Sequence, residues 1–252
     1  MSQQILTFLN NYKLIIQYDG TNYAGWQIQN NAVTVQQKIV DAVEVITKEK
    51  INLVGSGRTD SGVHAFGQAA NFKTEKVLDP SKFAYSLNSI LPNDISIKSI
   101  EPVEESFHAR FDAKSRSYLY LFSHGKSPFY NKYSWRHQNI LRFDFAELNK
   151  ISKVLLGEHD FTSFSRKNSD VENKICTVSE IWWRRGKDIS TFYVTANRFL
   201  HGMVRTILGT LLAVAENNYD ENYLREILNK KNREEADESV PARGLFLFKV
   251  RY

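Results

Sequence analysis

The chain has 252 residues, 42% of them hydrophobic and 24% charged, which is an ordinary composition for a soluble globular protein of one large domain or two fused halves. A formal net charge of +5 favours a polyanionic partner only weakly, and the single cysteine, Cys176, excludes an intrachain disulfide. Because the longest apolar run is too short to span a bilayer and the start lacks a signal-peptide pattern, we expect a cytoplasmic protein without membrane contact.

The first half of the chain is predicted to form a strand, a helix, two paired strands, a second helix and a last strand. Thr34 and Gln37 make a T-x-x-Q capping box that predicts the start of the first helix. Asp79 as N-cap and Pro80 at the first helical position predict the start of the second. The predicted strands cover residues 12–20, 51–54, 65–72 and 94–101.

The second half predicts elements in the same order. Residues 116–124 alternate strictly, which places Tyr118, Tyr120 and Phe122 on one face of a strand. A helix is predicted to begin at Asp144, with Glu147 completing a capping box, and to end at Gly157. The remaining predicted elements are strands at 177–186 and 189–196, helices at 200–216 and 221–230, and a closing strand at 244–252. The acidic stretch 234–238 is predicted to be a solvated turn.

This repeated order predicts an α+β fold built by duplication, with antiparallel sheets. Residues 1–104 form the predicted N-terminal half and residues 105–252 the C-terminal half. No linker rich in proline, glycine or serine separates the two, so we expect them to share one continuous sheet.

A glycine-rich loop at residues 55–64 is the most informative segment. It holds a guanidinium and a carboxylate, Arg58 and Asp60, two residues apart among three glycines that permit tight backbone turns. Its spacing matches neither the dinucleotide-binding fingerprint nor a P-loop. From composition alone, a surface turn in which the aspartate caps its own backbone remains an open alternative.

The sequence GRTDSGVHAFGQAANF (57–72) resembles the signature of the tRNA pseudouridine synthases of the TruA type, in which Ser61 is usually alanine. Further blocks resemble this family in its order and spacing: FHARF (107–111), RSYLYLF (116–122), GEHDFTSF (157–164), FLHGMVRTILGTL (199–211) and ARGLFL (242–247). The resemblance covers the chain from about residue 12 to 252. It implies two pseudo-repeated ferredoxin-like halves joined by a continuous, mainly antiparallel β-sheet, with helices on one side and a central basic cleft.

The resemblance also implies the chemistry. Asp60 aligns with the catalytic nucleophile, Tyr118 with the tyrosine that stacks on the target uracil, and Arg205 with the basic partner of the aspartate. The N-terminal half would carry Asp60, and the C-terminal half the tyrosine and the arginine. The family isomerises adjacent uridines in the anticodon stem-loop of tRNA, works as a homodimer and uses no cofactor.

The implied RNA contacts extend along much of the chain. Arg58 aligns with an arginine that helps to evict the base from the stem, and His64 is expected to support the loop or to contact RNA. The family resemblance implies contacts at residues 107–111 and around 166–170, and basic residues clustered near Tyr118 extend the expected set. The full set of expected RNA-binding residues is Arg58, His64, Phe107, His108, Arg110, Phe111, Arg116, Lys126, Arg166, Lys167, Asn168 and His201.

These residue types suit the reaction. Converting uridine to pseudouridine breaks an N–C bond to the ribose and rejoins the uracil through C5, so neither a metal nor a redox group is required, and a carboxylate is a competent nucleophile. Desolvation favours the neutral acid, whereas a neighbouring guanidinium favours the ionised form. We therefore predict a contact between Asp60 and Arg205.

Other interpretations remain open at this point. Tyr118 can be an ordinary core-facing strand residue, and Arg205 a helix residue whose head group reaches water. A non-catalytic RNA-binding protein on the same fold is the main alternative function. A hydrolase using Asp60 with His64 or His201 lacks a third member of its constellation. The six histidines have no HxH or HxxxH spacing, so no metal site is expected.

Overall fold

A computed structural model of the chain describes residues 9–167 and 171–252, which divide into two compact units. The first unit extends to Ala113 and includes Tyr252, and the second covers Lys114–Arg251. Each unit combines antiparallel strands with helices, so the predicted α+β class is confirmed. No helix in the described ranges has the length and hydropathy required to cross a membrane.

From residue 9 onward, the first unit consists of a small sheet and two α-helices. Its elements are β1 (Asn10–Tyr18), α1 (Val35–Thr47), β2 (Val54–Gly55), β3 (His64–Thr74), α2 (Pro80–Ile90) and β4 (Ile95–Val103). Strand β1 lies between β4 and β3, and the short β2 pairs with β3; all pairs are antiparallel. Alternate side chains of β1 (Tyr12, Leu14, Ile16 and Tyr18) are buried, as expected for a strand with one face in the core.

Both predicted helix starts in this unit are confirmed. Thr34 accepts a hydrogen bond from the backbone N–H of Gln37 at 3.4 Å, at the N-cap of α1. Asp79 accepts from the backbone N–H groups of Ser81 and Lys82 at 3.0 and 3.1 Å. These side chains satisfy backbone donors that the first helical turn leaves without partners, which explains why the chain enters each helix at these residues.

In the part of the second unit that the structure describes, five strands form a sheet that packs with three α-helices. Its elements are β5 (Ser115–Ser123), α3 (Phe145–Ser152), β6 (Gly157–Asp160), β7 (Ile175–Arg185), β8 (Ile189–Ala196), α4 (Met203–Glu216), α5 (Glu221–Lys230) and β9 (Leu245–Arg251). Hydrogen-bonded neighbours follow the order β9-β5-β8-β7-β6, all antiparallel. The predicted alternation of β5 is confirmed, because Tyr118, Tyr120 and Phe122 are buried on one face.

Two predicted boundaries are wrong. Only Val54 and Gly55 pair with β3 where a strand at 51–54 was expected, and the N–H of Ile51 donates instead to the carboxylate of Glu44 at 3.2 Å. Helix α3 ends at Ser152 rather than Gly157, and Gly157, with φ +90°, begins a strand that the sequence pattern missed. At Ile51 a bond to a side chain takes the place of the expected strand pairing, and before Gly157 a tight turn takes the place of the expected last turn of the helix.

Cys176 behaves as a small core residue of β7. It is fully buried, and burial raises the pKa of its thiol to about 11. Since the thiolate is the reactive species, we expect no labelling of the native protein by Ellman's reagent at about pH 8 and one thiol per chain after unfolding in guanidinium. Rapid labelling of the folded protein would contradict this assignment.

Candidate active site

The loop that carries Arg58 and Asp60 connects β2 to β3 in the first unit. Its first part is held by Gln68, a fully buried residue of β3. The Gln68 amide oxygen lies 2.6 Å from the Ser56 hydroxyl, and its Nε2 donates to the carbonyl of Gly57 at 3.0 Å. Both ends of one buried amide are thus occupied by the segment that leads into Arg58, whose side chain is exposed.

Asp60 lies between two residues that are tied to the body of the unit. The Thr59 hydroxyl is 2.8 Å from the phenol of Tyr18, and the Thr59 carbonyl accepts from the N–H of Trp26 at 3.1 Å. On the other side, the Ser61 hydroxyl donates to the carbonyl of Tyr23 at 3.1 Å. The half-buried Asp60 carboxylate is therefore presented by a backbone with little freedom to move.

Two glycines allow this loop to pack closely against the turn after β1. A Cβ added to Gly25, whose φ is +92°, would lie 2.4 Å from the carbonyl oxygen of Thr59. A Cβ added to Gly20 would lie 2.0 Å from the carbonyl oxygen of Val63. Only glycine fits at either position, so the turn after β1 determines where the Asp60 loop can lie.

His64 occupies the base of the loop. Its ring is buried, Gly20 N–H donates to its Nδ1 at 3.1 Å, and Asp19 Oδ1 lies 3.0 Å from the same nitrogen. Of the two roles expected for His64, support of the loop fits this position, because the ring joins the start of β3 to the turn after β1.

A pair of buried asparagines holds the FHARF segment, residues 107–111. Asn71 Oδ1 accepts from the N–H of Ala109 at 2.9 Å, and its Nδ2 donates to Asn11 Oδ1 at 2.9 Å. Asn11 in turn donates to the carbonyl of Phe107 at 2.9 Å. The backbone of this segment is thereby attached to both β1 and β3.

The outward side of the same segment is an exposed stack of rings. His108 and Phe111 stack with centroids 4.3 Å apart, and the guanidinium of Arg110 lies 5.7 Å from the Phe111 centroid. His108 Nδ1 accepts from the N–H groups of Arg110 and Phe111 at 3.2 and 3.3 Å, which fixes the turn. Phe111 remains 74% exposed.

In the second unit, Tyr118 lies on β5 between β8 and β9. Its register partners are Val194 and Leu247, and the pairing with β9 shifts between Ser117 and Tyr118. Such a bulge redirects a side chain relative to a regular strand. The ring is 9% exposed and makes an edge contact with Phe199, with centroids 5.1 Å apart.

Arg205 extends from α4 and is bonded to the segment that leads to β9. Its Nε donates to the carbonyl of Val240 at 2.7 Å, and the N–H of Val240 donates to the Arg205 carbonyl at 3.2 Å. One turn along, a Cβ on Gly209 would lie 1.8 Å from the carbonyl oxygen of Glu238. Residues 237–241 therefore lie tightly along α4 and hold the arginine at a defined angle.

Tyr120 completes this arrangement from β5. Its hydroxyl donates to the carbonyl of Pro241 at 2.8 Å. Burial raises the pKa of the Tyr120 phenol well above its ordinary value, and the positive charges of Arg205 and Arg243 oppose that rise. The phenol thus stays protonated and serves as a hydrogen-bond donor beside two guanidinium groups.

The remaining predicted RNA-binding residues are distributed over the second unit. Arg116 donates to the carbonyl of Asn197 at 2.8 Å, and the N–H of Arg166 donates to the carbonyl of His201 at 3.1 Å. Lys126 is exposed, and Asn168 lies outside the described residues.

Lys167 gives part of the acidic stretch a structural role, because its ammonium pairs with Glu234 and lowers the pKa of that carboxylate. Glu235 pairs with Lys230 at 2.9 Å. Both ion pairs lie at the surface, and they are compatible with the solvated turn expected there.

The predicted site residues thus form two groups within separate units. Asp60, Arg58 and His64 share one anchored loop, while Tyr118 and Arg205 belong to β5 and α4. The Asp60–Arg205 contact stays a prediction. The sequence analysis missed Gln68, Asn71 and Gly25 as supports, although Gln68 and Asn71 both lie within the family signature at residues 57–72.

Comparison with known proteins adds a further observation. The family model described as "tRNA pseudouridine synthase" matches residues 14–112 and 151–252. A tRNA pseudouridine synthase A from Clostridium acetobutylicum is 42% identical over 246 residues, which cover 97% of this chain and 100% of that protein. Those from Caldicellulosiruptor saccharolyticus and Thermoanaerobacter sp. are 41% and 40% identical, again over 97% of this chain and 100% of each relative.

A solved structure, "Crystal Structure of a Cbf5-Nop10-Gar1 Complex", aligns with 80% of this chain and 44% of its own at 13% identity and a TM-score of 0.34, too low to bear on the fold. The family model and the relatives agree with each other and with the block order seen in the sequence. This chain belongs to the tRNA pseudouridine synthase family and is an isomerase.

Proposed function

We propose that this chain isomerises uridine to pseudouridine in the anticodon stem-loop of tRNA, with Asp60 as the nucleophile. The observation that carries the proposal is the way Asp60 is held, between Thr59 and Ser61, which both bond to fixed groups of the first unit. A nucleophile must meet its target within a few tenths of an ångström, and a loop fixed on both sides meets that requirement.

The chemistry assigns a task to each of three residues. Asp60 attacks the extruded nucleoside, and the bond between N1 of uracil and the ribose breaks. A bond from C5 to the ribose then forms and the bond to Asp60 breaks, which regenerates the carboxylate. C5 loses its proton to water, and N1 takes up a proton from water. Tyr118 stacks on the extruded uracil, an interaction worth roughly 1–3 kcal/mol per base. Arg205 pairs with the Asp60 carboxylate and favours its ionised form.

The RNA contacts proposed here follow the implied set. Arg58 is exposed and helps to evict the base, at a cost of a few kcal/mol for unstacking. The exposed stack of Phe111, His108 and Arg110 offers aromatic and cationic groups to RNA. Phe107, beside that stack in the first unit, is a further proposed contact. The other proposed contacts belong to the second unit and are Arg116, Lys126, Arg166, Lys167, Asn168 and His201.

We propose further that residues 1–104 and 105–252 are pseudo-repeated ferredoxin-like halves on one continuous sheet with a central basic cleft. The strand orders support this. The first unit has the order β4-β1-β3 with β2 beside β3, and the second has the order β9-β5-β8-β7. If β6 is left out and the strands of each unit are numbered in chain order, both sheets have the spatial order fourth, first, third, second. A homodimer and a cytoplasmic location, both expected from the family, belong to the same proposal.

Transfer RNA labelled with tritium at C5 of uridine tests the function directly. The wild-type protein is expected to release tritium to water until the amount released per tRNA molecule reaches a plateau, which corresponds to a fixed number of modified uridines. Carbodiimide mapping of the product should then place pseudouridine on the 3′ side of the anticodon stem-loop. Tight binding with no release from any tRNA would favour the non-catalytic RNA-binding alternative, and modification elsewhere would overturn the stem-loop assignment.

A further inference from the structure

One surface of the second unit combines exposed aromatic rings with positive charge. Of its residues, Lys126 also belongs to the expected RNA-binding set. The surface comprises residues 126–142, between β5 and α3, and is called here the 126–142 surface. It has no aspartate or glutamate. Its four formal positive charges are Lys126, Lys132, Arg136 and Arg142, all of them exposed.

Three aromatic rings are exposed within five positions of this surface. Phe129 is 82% exposed, Tyr130 40% and Tyr133 37%. The ammonium of Lys132 lies 5.3 Å from the centroid of the Tyr133 ring, so a cation and a ring are already presented together. Flat rings interleaved with cations suit nucleobases and phosphates at the same time.

The rings are displayed by an ordered turn rather than by a loose chain. Asn131 N–H donates to the carbonyl of Ser127 at 3.1 Å, and both the N–H of Tyr133 and the hydroxyl of Ser134 donate to the carbonyl of Tyr130. The turn is attached to β5, because Trp135 N–H donates to the carbonyl of Leu121 at 2.9 Å and Trp135 accepts from Ser123 at 3.1 Å. The backbone that carries the rings is therefore already ordered and loses little further entropy on binding.

Charge identifies the class of partner. A symmetric contact between two copies would bring the same four cations against each other, which opposes self-association through this surface. Glu216 reaches the segment from its inner side, where it accepts from Asn139 at 3.1 Å and lies 3.4 Å from His137. Burial also lowers the pKa of His137, so the outward charge comes from the lysines and arginines. A polyanion with stackable bases fits this surface.

We propose that the 126–142 surface is a second RNA-docking surface, which binds the tRNA away from the nucleotide that is modified. The segment that forms this surface follows Ser123, the last residue of β5. Ser123 is five residues beyond Tyr118, so the two residues lie ~17 Å apart along the strand at ~3.4 Å per residue. If Tyr118 stacks on the target base, as the proposed function has it, the surface meets RNA about five base steps away at ~3.4 Å per step. Its role is to hold the stem while the target base is extruded.

Two variants and two matched controls test the surface. The first variant, Lys126→Gln/Lys132→Gln/Arg136→Gln, removes charge, and its control removes three exposed lysines of the first unit, Lys76→Gln/Lys82→Gln/Lys98→Gln. The second variant, Phe129→Ala/Tyr133→Ala, removes rings, and Tyr85→Ala, on a ring 76% exposed in α2, is its control. Binding of unmodified tRNA is measured by filter binding between about 50 and 200 mM salt.

The charge variant is expected to weaken binding at least tenfold and to reduce the salt slope of log Kd by about 2, since each lost phosphate contact removes about 0.7–0.9. The ring variant is expected to weaken binding about tenfold or more with an unchanged slope. The controls should stay within twofold of wild type. Thermal melting checks that the two variants and the two controls are folded. We expect them to fold, because all the substituted side chains are exposed.

Losses no larger than those of the controls would overturn the inference. A shift from dimer to monomer in sedimentation, with tRNA affinity kept, would make the surface a protein interface and would overturn it too. Wild-type tritium release from the same preparation separates this result from the proposed function. If the wild-type protein releases tritium but the surface variants bind tRNA as well as the controls do, only the docking-surface proposal is refuted. If the surface variants bind tRNA more weakly but the wild-type protein releases no tritium, the catalytic proposal is refuted and the docking surface is retained.

Discussion

Asp60→Asn is expected to lower the rate of tritium release from C5-labelled tRNA by about 10⁴-fold or more, the usual scale for losing a catalytic group that bonds to substrate. The amide has nearly the shape of the carboxylate but lacks its negative charge and cannot attack the nucleoside. The bonds that Thr59 and Ser61 make to Tyr18, Trp26 and Tyr23 do not involve the Asp60 carboxylate, so this change leaves them in place. Single-turnover release measures the effect.

Binding separates a chemical defect from a folding defect in this variant. The dissociation constant for tRNA is expected to stay within about threefold of wild type, because removing one negative charge changes the electrostatic attraction to a polyanion only slightly. Asp79→Asn is the matched control, since asparagine caps a helix as well as aspartate and Asp79 lies in the same unit at the start of α2. A release rate for Asp60→Asn within tenfold of wild type would remove the nucleophile assignment.

Gly25→Ala is expected to lower the free energy of unfolding by about 3 kcal/mol and to displace the Asp60 loop. A left-handed residue with a side chain costs roughly 1–2 kcal/mol, and φ at Gly25 is +92°. The new Cβ would lie 2.4 Å from the Thr59 carbonyl oxygen and 3.1 Å from the Asp60 carbonyl carbon, an overlap that adds about 1–3 kcal/mol. Urea unfolding gives the stability change, and tritium release should fall with it.

Gly57→Ala provides a control within the Asp60 loop itself, which Gly25 contacts from the turn after β1. A Cβ at Gly57 has nothing within 4 Å, and its φ lies outside the left-handed range, so we expect the free energy of unfolding to change by less than about 1 kcal/mol. Equal destabilisation by the two changes would show that the loop tolerates no side chain anywhere. It would then refute the specific role given to the Gly25–Thr59 contact.

Much of the secondary structure could be predicted because its signals are local. The N-caps at Thr34, Asp79 and Asp144 and the alternation of β5 each depend on residues a few positions apart. The errors came where a distant group intervened, as when Glu44 satisfies the N–H of Ile51 and leaves no strand there. A periodic pattern carries no information about such a bond.

The sequence by itself determined the family, the α+β class and the identity of the charged loop residues, since these depend on residue types in a fixed order. Only the tertiary structure decided how those residues are held. Asn71 reaches Ala109 across 38 positions and Arg205 reaches Val240 across 35, and Gly25 meets Thr59 through a close backbone approach. These contacts depend on where separate elements pack, and packing is a property of the folded chain rather than of any short segment.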